Sequence, residues 1–503
     1  MKRERFIKFI ILIALVLACY YPSVHGDFIW DDLDYIADNK ALHSLAGLKA
    51  IWLNPQATTN YYPLFFTGIW LQYQLWGENV LGYHVINIVF HIFNALLIWH
   101  LLDRLKIAGG FAAALLFAIH PVNVESVAWI SELKNTQSTF FMLLSVLFFH
   151  STLKMDSVLP YTKPILNKRT AFFLFSIGTF LCALTTKPVT VILCGIFLIV
   201  FWLENIKFKW GHLLMLVPFI LLGTLSIALC IRSEQSYIMV ADTPISISFW
   251  ERILIMGQVF WFYPLKIIWP EPLMFIYPKW EIDFTSILQY LYLSSVLLIF
   301  VLLIVKRNSM HKGVMATFLY YCLTIAPVSG LLVFQNLNLT YVADHFQYLP
   351  SIGLLAFFVN VAIAAQKKWK FGLPLIKPAL MILLVITLSV LSWKHAGNFK
   401  TRVSIYSDTI RKDPQNEFAY NLRGRAYVKE GRYDLALADF SRAVRIKPGY
   451  HQALSNRAVV YTKVGKRKKA LCDFDRVLEL NPNDQRVIKL RKILINKHRP
   501  VKY

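Results

Sequence analysis

Of 503 residues, 56% are apolar, 15% aromatic and only 16% charged, with a mean hydropathy of +0.49. A soluble globular chain carries about 25% charged residues, so most of this one is read as lying outside water. These figures exclude a disordered chain, a nucleic-acid-binding globule and a small disulfide-stapled domain.

The charge is unevenly spread. Residues 394–503 hold 26 Lys and Arg against 10 Asp and Glu, a net of +16, whereas residues 1–393 hold 27 against 19, a net of +8. Two solvents are implied: a long membrane module (1–393), then a polar basic domain. The six cysteines form no CxxC or CxxH pair, so they read as small buried apolar residues and not as a zinc or disulfide framework.

The chain opens with Met-Lys-Arg-Glu-Arg and runs apolar from Phe6 to about Val24. No small-x-small cleavage pattern follows, so a retained first span with its basic end in the cytoplasm is expected. Further apolar stretches long enough to cross about 30 Å fall near 83–103, 108–124, 134–153, 170–186, 188–204, 210–231, 285–305, 314–334, 346–365 and 376–393. Eleven spans are thus expected. Their predicted cytoplasmic turns carry the cations, among them Arg104, Lys106, Lys163, Lys168, Lys207, Lys209, Lys306, Lys312, Lys367 and Lys370. The opposite loops carry Asp27, Asp31, Asp32, Asp34, Asp38, Glu125, Glu271, Glu281, Asp283 and Asp344. The positive-inside rule then puts the N-terminus in the cytoplasm and the C-terminal domain outside. Residues 249–269 are apolar enough to insert, yet four prolines between 264 and 278 favour a re-entrant or interfacial helix on the outer face.

Beyond 393 the sequence repeats at an offset of 34. Arg423, Gly424, Tyr427, Gly431, Ala436, Phe440 and Pro448 are matched by Arg457, Ala458, Tyr461, Gly465, Ala470, Phe474 and Pro482. Small residues let two helices cross closely, aromatics fill the crossing, and proline ends the second helix, which is the tetratricopeptide pattern. A linker and half-repeat (394–416), two repeats (417–484) and a capping helix with a basic tail (485–503) are predicted. The fold class is therefore all-α: a polytopic membrane bundle followed by a tetratricopeptide solenoid. First-helix positions Asn421, Arg425, Lys429, Ser455 and Lys463 are expected to line a concave face suited to an acidic or polar partner; anionic lipid headgroups are the alternative.

Carboxylates beside a membrane are expensive and seldom idle. Asp31 and Asp32 follow the first span, framed by Trp30 and Tyr35; two neighbouring carboxylates raise one pKa, or share a divalent cation or an acceptor hydroxyl. No metal-ligand motif accompanies them, so the divalent cation stays open and no metal ligand is assigned. A second cluster reads His120-Pro-Val-Asn-Val-Glu125, then Trp129, Glu132, Lys134 and Asn135, on the same expected face. Lys187, between Thr186 and Pro188, is a cation at a helix break, suited to phosphate. Nucleotide loops, HExxH and GxSxG are missing, so ATP-driven transport and serine or zinc hydrolysis lose support.

Trp30-Asp-Asp32, Tyr61-Tyr-Pro-Leu64, the helix with His91 and Asn94, His120-Pro-Val-Asn-Val-Glu-Ser-Val127, Thr186-Lys-Pro188 and Val342-Ala-Asp-His-Phe-Gln-Tyr-Leu-Pro-Ser351 occur in this order, followed by the repeats. The combination resembles the transmembrane and tetratricopeptide-repeat O-mannosyltransferase-like family and its bacterial relatives, which are multi-spanning GT-C-fold transferases using polyprenyl-phosphate sugars. The resemblance implies a catalytic carboxylate at Asp31 or Asp32, supported by Glu125. It further implies donor-phosphate contacts from Lys187, His345 and Arg232, and substrate contacts from Tyr62, His120, Lys134, Asp344 and Tyr348. Asp344-His345 stands where eukaryotic relatives show Glu-Arg, so the cation there is a histidine. The implied partners are a polyprenyl-phosphate-linked sugar, an acceptor protein or glycan, and membrane lipid, with no nucleic acid. A non-catalytic scaffold that recruits an envelope-assembly partner through its repeats is the rival reading. A secondary transporter is disfavoured, because its ionisable groups belong near the midplane and its spans repeat.

Overall fold

A computed structural model describes residues 2–155, 168–207, 209–238, 247–331, 339–368 and 376–496. Lys163, Lys370 and the expected basic tail 497–503 lie outside the described residues. Every regular element among the described residues is helical. The chain divides into two compact units, residues 1–273 with 279–400, and residues 274–278 with 401–503.

The first unit begins with α1 (Lys2–Tyr20), α2 (Leu45–Leu53), α3 (Pro63–Trp76), α4 (Val80–Arg104), α5 (Gly110–Ile119), α6 (Val124–Ala128) and α7 (Leu133–Met155). It continues with α8 (Lys168–Thr186), α9 (Leu193–Leu203), α10 (Trp210–Ile238), α11 (Phe249–Ile268), α12 (Ile287–Val305), α13 (Lys312–Ile325), α14 (Pro350–Lys368) and α15 (Ile376–Gly397). Among the described residues eight helices are long and apolar enough to cross a membrane, and the protein is a polytopic helical membrane protein. The other three expected spans take different forms. The one at 108–124 is a pair of helices bent by 58°, and those at 188–204 and 314–334 are the shorter apolar helices Pro188–Leu203 and Lys312–Val328. The long apolar helix α11 is not among the eight. It starts on a capping box, Ser248 with Glu251, and exposes Phe249, Trp250, Leu265 and Ile268.

The bend positions the polar residues. Between Ile119 and Leu133 the chain runs through two 3₁₀ turns and the five-residue α6, so several carbonyls lack helical partners. An unsatisfied carbonyl costs several kcal/mol where water is missing. One face of α4 supplies the donors at i, i+4 and i+7. Asn87 Nδ2 donates to the carbonyls of Ser126, Val127 and Trp129 at 3.1, 3.0 and 3.1 Å. His91 meets Ala118 O at 3.0 Å, and Asn94 donates to Thr136 O at 2.8 Å. These buried amides hold an irregular segment in one shape.

The second unit contains α16 (Arg402–Lys412), α17 (Glu417–Lys429), α18 (Tyr433–Ile446), α19 (His451–Lys463), α20 (Arg467–Leu480) and α21 (Gln485–Asn496). Met274–Pro278 belongs with it: the Phe275 ring lies 6.3 Å from Tyr406, and Asn416 donates to Ile276 O at 3.4 Å. Gly424 lets α18 approach, since a Cβ there would stand 2.7 Å from Phe440. The predicted period is also an ion-pair period. Arg423 grips Asp439, and Arg457 grips Asp473, each through two bonds of 2.8 Å. Each arginine also reaches back 16 residues, to Ser407 and Ser441. Arg491, one period further on, has no following helix among the described residues; its backward partner is Asp475, at 2.5 Å. A carboxylate at the serine position thus completes the last arginine.

Candidate active site

Trp30 turns the first loop with φ +44°, a left-handed value uncommon outside glycine. The two following carboxylates consequently part. Asp32 is fully buried: Oδ2 accepts Ile29 N at 2.9 Å, and Oδ1 accepts Ser131 N at 2.8 Å as well as the Ser131 hydroxyl. Burial pushes its carboxyl up to about 7, against the pull of those donors. Asp31 keeps 31% of its side chain exposed, with Oδ2 3.9 Å from Lys134 Nζ. Burial raises its carboxyl above the ordinary value, and Lys134 opposes the rise.

Lys134, in the first turn of α7, is nearly buried and stands 2.9 Å from Glu132 Oε1. Its ammonium lies over the rings of Tyr35 and Trp129, at 5.1 and 5.6 Å. Asn135 joins three elements through one amide. Nδ2 donates to Glu132 Oε2 at 2.5 Å and to His345 O at 2.9 Å, while Oδ1 accepts from Lys187 Nζ. Glu125 holds His345 twice, accepting its backbone N–H at 3.1 Å and meeting its Nδ1 at 2.9 Å. Three acids and three bases from the first loop, α6, the start of α7, the α8 end and the 344–347 turn thus form one connected set.

Of the residues expected from sequence, the set gathers Asp31, Glu125, Lys134, Lys187 and His345. Other candidates hold the scaffold. His120 meets Ile267 O at 3.0 Å, and Tyr348 OH is buried with His91 Nδ1 at 2.7 Å and Asn94 at 3.1 Å. Asp344 is buried and accepts from Gln347 at 3.4 Å. Tyr62 precedes α3 and packs on the core around Phe65 and Phe66, and Arg232 is exposed on α10. In the repeats, Arg425, Lys429 and Lys463 are exposed. Asn421 and Ser455 are buried, Asn421 bonding Tyr450 OH at 3.2 Å and Asn456 at 2.9 Å.

Two residues of the set, Glu132 and Asn135, lie in the second cluster but carry no role that the sequence alone assigns. Glu132 opens a helix, where an acid reads as a favourable end charge, and that reading hides its partner. The divalent cation left open by the aspartate pair does not fit these residues. Among the described residues no three His, Cys, Asp or Glu side chains converge to hold an ion, and the oxygens of Asp32 already face N–H and O–H donors.

A family model described as a TPR repeat matches residues 424–465. A protein O-mannosyl-transferase of Caenorhabditis elegans is 25% identical over 436 residues, covering 82% of this chain and 59% of its own length. The protein O-mannosyl-transferase TMTC3 of Mus musculus is 28% identical over 182 residues, covering 34% of this chain and 19% of its own. The chain therefore spans about three fifths of the worm relative and about a fifth of the mouse one. The apo oligosaccharyltransferase of Archaeoglobus fulgidus overlaps with a TM-score of 0.42 and 12% identity, over 85% of this chain and 59% of that one, too loosely to carry an argument. The resemblance read from the ordered motifs thus holds in alignment, for the relatives are named protein O-mannosyl-transferases and a TPR repeat follows the membrane helices here.

Proposed function

We propose that this protein is a membrane glycosyltransferase that passes a sugar, mannose by the relatives' names, from a polyprenyl-phosphate donor to a hydroxyl of a protein or glycan. The reaction takes place on the outer face, with the N-terminus cytoplasmic and the repeats outside, as the loop charges favour. One observation carries the reading: a half-exposed carboxylate, Asp31, shares a connected set with Lys134, Lys187 and His345. Acid beside cations is what such a transfer requires.

Asp31 takes the acceptor hydroxyl's proton as that oxygen attacks the anomeric carbon. The bond from that carbon to the donor phosphate breaks, and the lipid phosphate leaves with the electron pair. Lys187 and His345 neutralise it. A single displacement of this kind inverts the anomeric centre. Glu125 acts by aiming His345, and Asp32 by fixing the loop. Arg425, Lys429 and Lys463 give the repeats a basic face for an acidic stretch of the acceptor; Arg232 remains assigned to the donor phosphate, and Tyr62 and Asp344 to substrate.

The test is transfer of labelled mannose from polyprenyl-phosphate mannose to envelope protein or glycan by the purified protein in lipid. Transfer that needs Asp31 supports the reading. Its absence with every polyprenyl-phosphate sugar tried, while native acceptors still bind the repeats, favours the scaffold.

A further inference from the structure

The loop that bears Asp31 is fastened to the last turn of the first unit. Asp27 N–H donates to Lys400 O at 2.7 Å, across 373 residues of chain. Beside it, Gly26 has no room for a side chain. A Cβ would stand 2.9 Å from Phe399 O, 3.1 Å from Ser23 O and 3.3 Å from His84 Nε2. Two of those neighbours are backbone and cannot swing aside. Phe399 is itself buried, its ring 5.5 Å from His395 and perpendicular to it, at the foot of α15.

At the loop's other end, Asp32 is tied to Ser131 and Ile29. Between the two ties lies Trp30 at φ +44°. A bulky residue in that region is strained and stays there only when its surroundings hold it. Resting on the transferase reading above, we infer that Gly26 and the Phe399–Lys400 turn are positioning elements for Asp31. The clasp on one side and the Asp32 tie on the other hold the turn around the strained residue, and so set Asp31 against Lys134. The chain's last step before the repeat unit begins at Thr401 therefore anchors the base as well.

The full-length protein tests this through Gly26→Ala and Gly26→Val, with Gly178→Ala as a control, since nothing lies within 4 Å of a Cβ at that helical site. A misplacement of about 1 Å costs on the order of 100-fold in rate. We expect kcat to fall about tenfold with alanine and about 100-fold with valine, donor KM to stay within about twofold, and the acid limb of the pH–rate profile to move to higher pH as Asp31 leaves Lys134. A glycine inserted between Gly397 and Asn398 should give the same signature, whereas one inserted between Lys400 and Thr401 should not. This second pair decides the matter if the valine variant fails to fold. Loss of rate with an unmoved acid limb, or a normal rate in both the alanine variant and the first insertion, overturns the inference. If the wild type transfers sugar and Asp31→Asn does not, either result overturns the clasp alone; a wild type inert toward every donor overturns the function.

Discussion

Asp31 and Asp32 are neighbours in sequence with different surroundings: Asp32 is sealed against Ser131 and Ile29 by three donors, while Asp31 is partly exposed and 3.9 Å from Lys134. An adjacent pair normally invites a shared role. Here one residue is bound into the loop and the other keeps a partly exposed carboxylate.

The Asp32 carboxyl is raised to about 7 in the fold, from about 4 in an unfolded chain. A raised acid contributes stability that is complete below the unfolded value and is lost as pH rises through the folded one. Thermal midpoints should therefore fall between about pH 4 and pH 7. Asp32→Asn, which leaves a buried donor unmatched at a cost of about 1–3 kcal/mol, should be less stable at pH 4 and lose that slope. An unchanged slope contradicts the assignment.

Lys134 opposes the burial that raises the Asp31 carboxyl. Lys134→Met removes that charge and leaves Glu132 with Asn135 but without its ion-pair partner. The acid limb of kcat/KM should move to higher pH, because the base then holds its proton longer. A limb that moves down, or stays, separates Asp31 from the titrating group.

Asn135 holds Lys187 with an amide, which positions the ammonium without neutralising it. Asn135→Asp would set a carboxylate against both Lys187 and Glu132. Donor KM should rise by roughly 10- to 100-fold, as for one charge-assisted contact worth about 1.5–3 kcal/mol, with acceptor KM unaltered. Equal change in both constants would place Lys187 away from the donor phosphate.

In the repeats, Asp473→Ala strands a mostly buried Arg457 that now makes two bonds of 2.8 Å to it. A loss of about 1.5–3 kcal/mol is expected. Glu479→Ala breaks an exposed pair with Arg476 at 2.6 Å and should cost under about 1 kcal/mol. Urea or thermal unfolding of the repeat unit within the full chain measures both.

Much of this architecture was written in local patterns. Apolar runs marked the helices that span, and the offset of 34 marked the repeats, because each is a property of neighbouring residues. The polar set was only partly visible. Glu125, Lys134 and His345 stood out as charges in apolar company. The division between Asp31 and Asp32 depends on a strained Trp30 and on Ser131, 99 residues beyond Asp32, which no spacing rule links. His120 and Tyr348 looked equally chemical, yet they meet the carbonyl of Ile267 and the ring of His91. Met274–Pro278, a proline-flanked stretch of loop, joins the repeat unit through Asn416 and Tyr406, which lie over 120 residues later.

The most direct measurement is mannose transfer from polyprenyl-phosphate mannose by purified Asp31→Asn and Asp32→Asn, each compared with wild type at matched amounts of folded protein. Loss of a general base removes about 10²–10⁴ in rate. Asp31→Asn should therefore lose that much with an unaltered thermal midpoint, and Asp32→Asn should lower the midpoint first. Near wild-type transfer by Asp31→Asn would contradict the account.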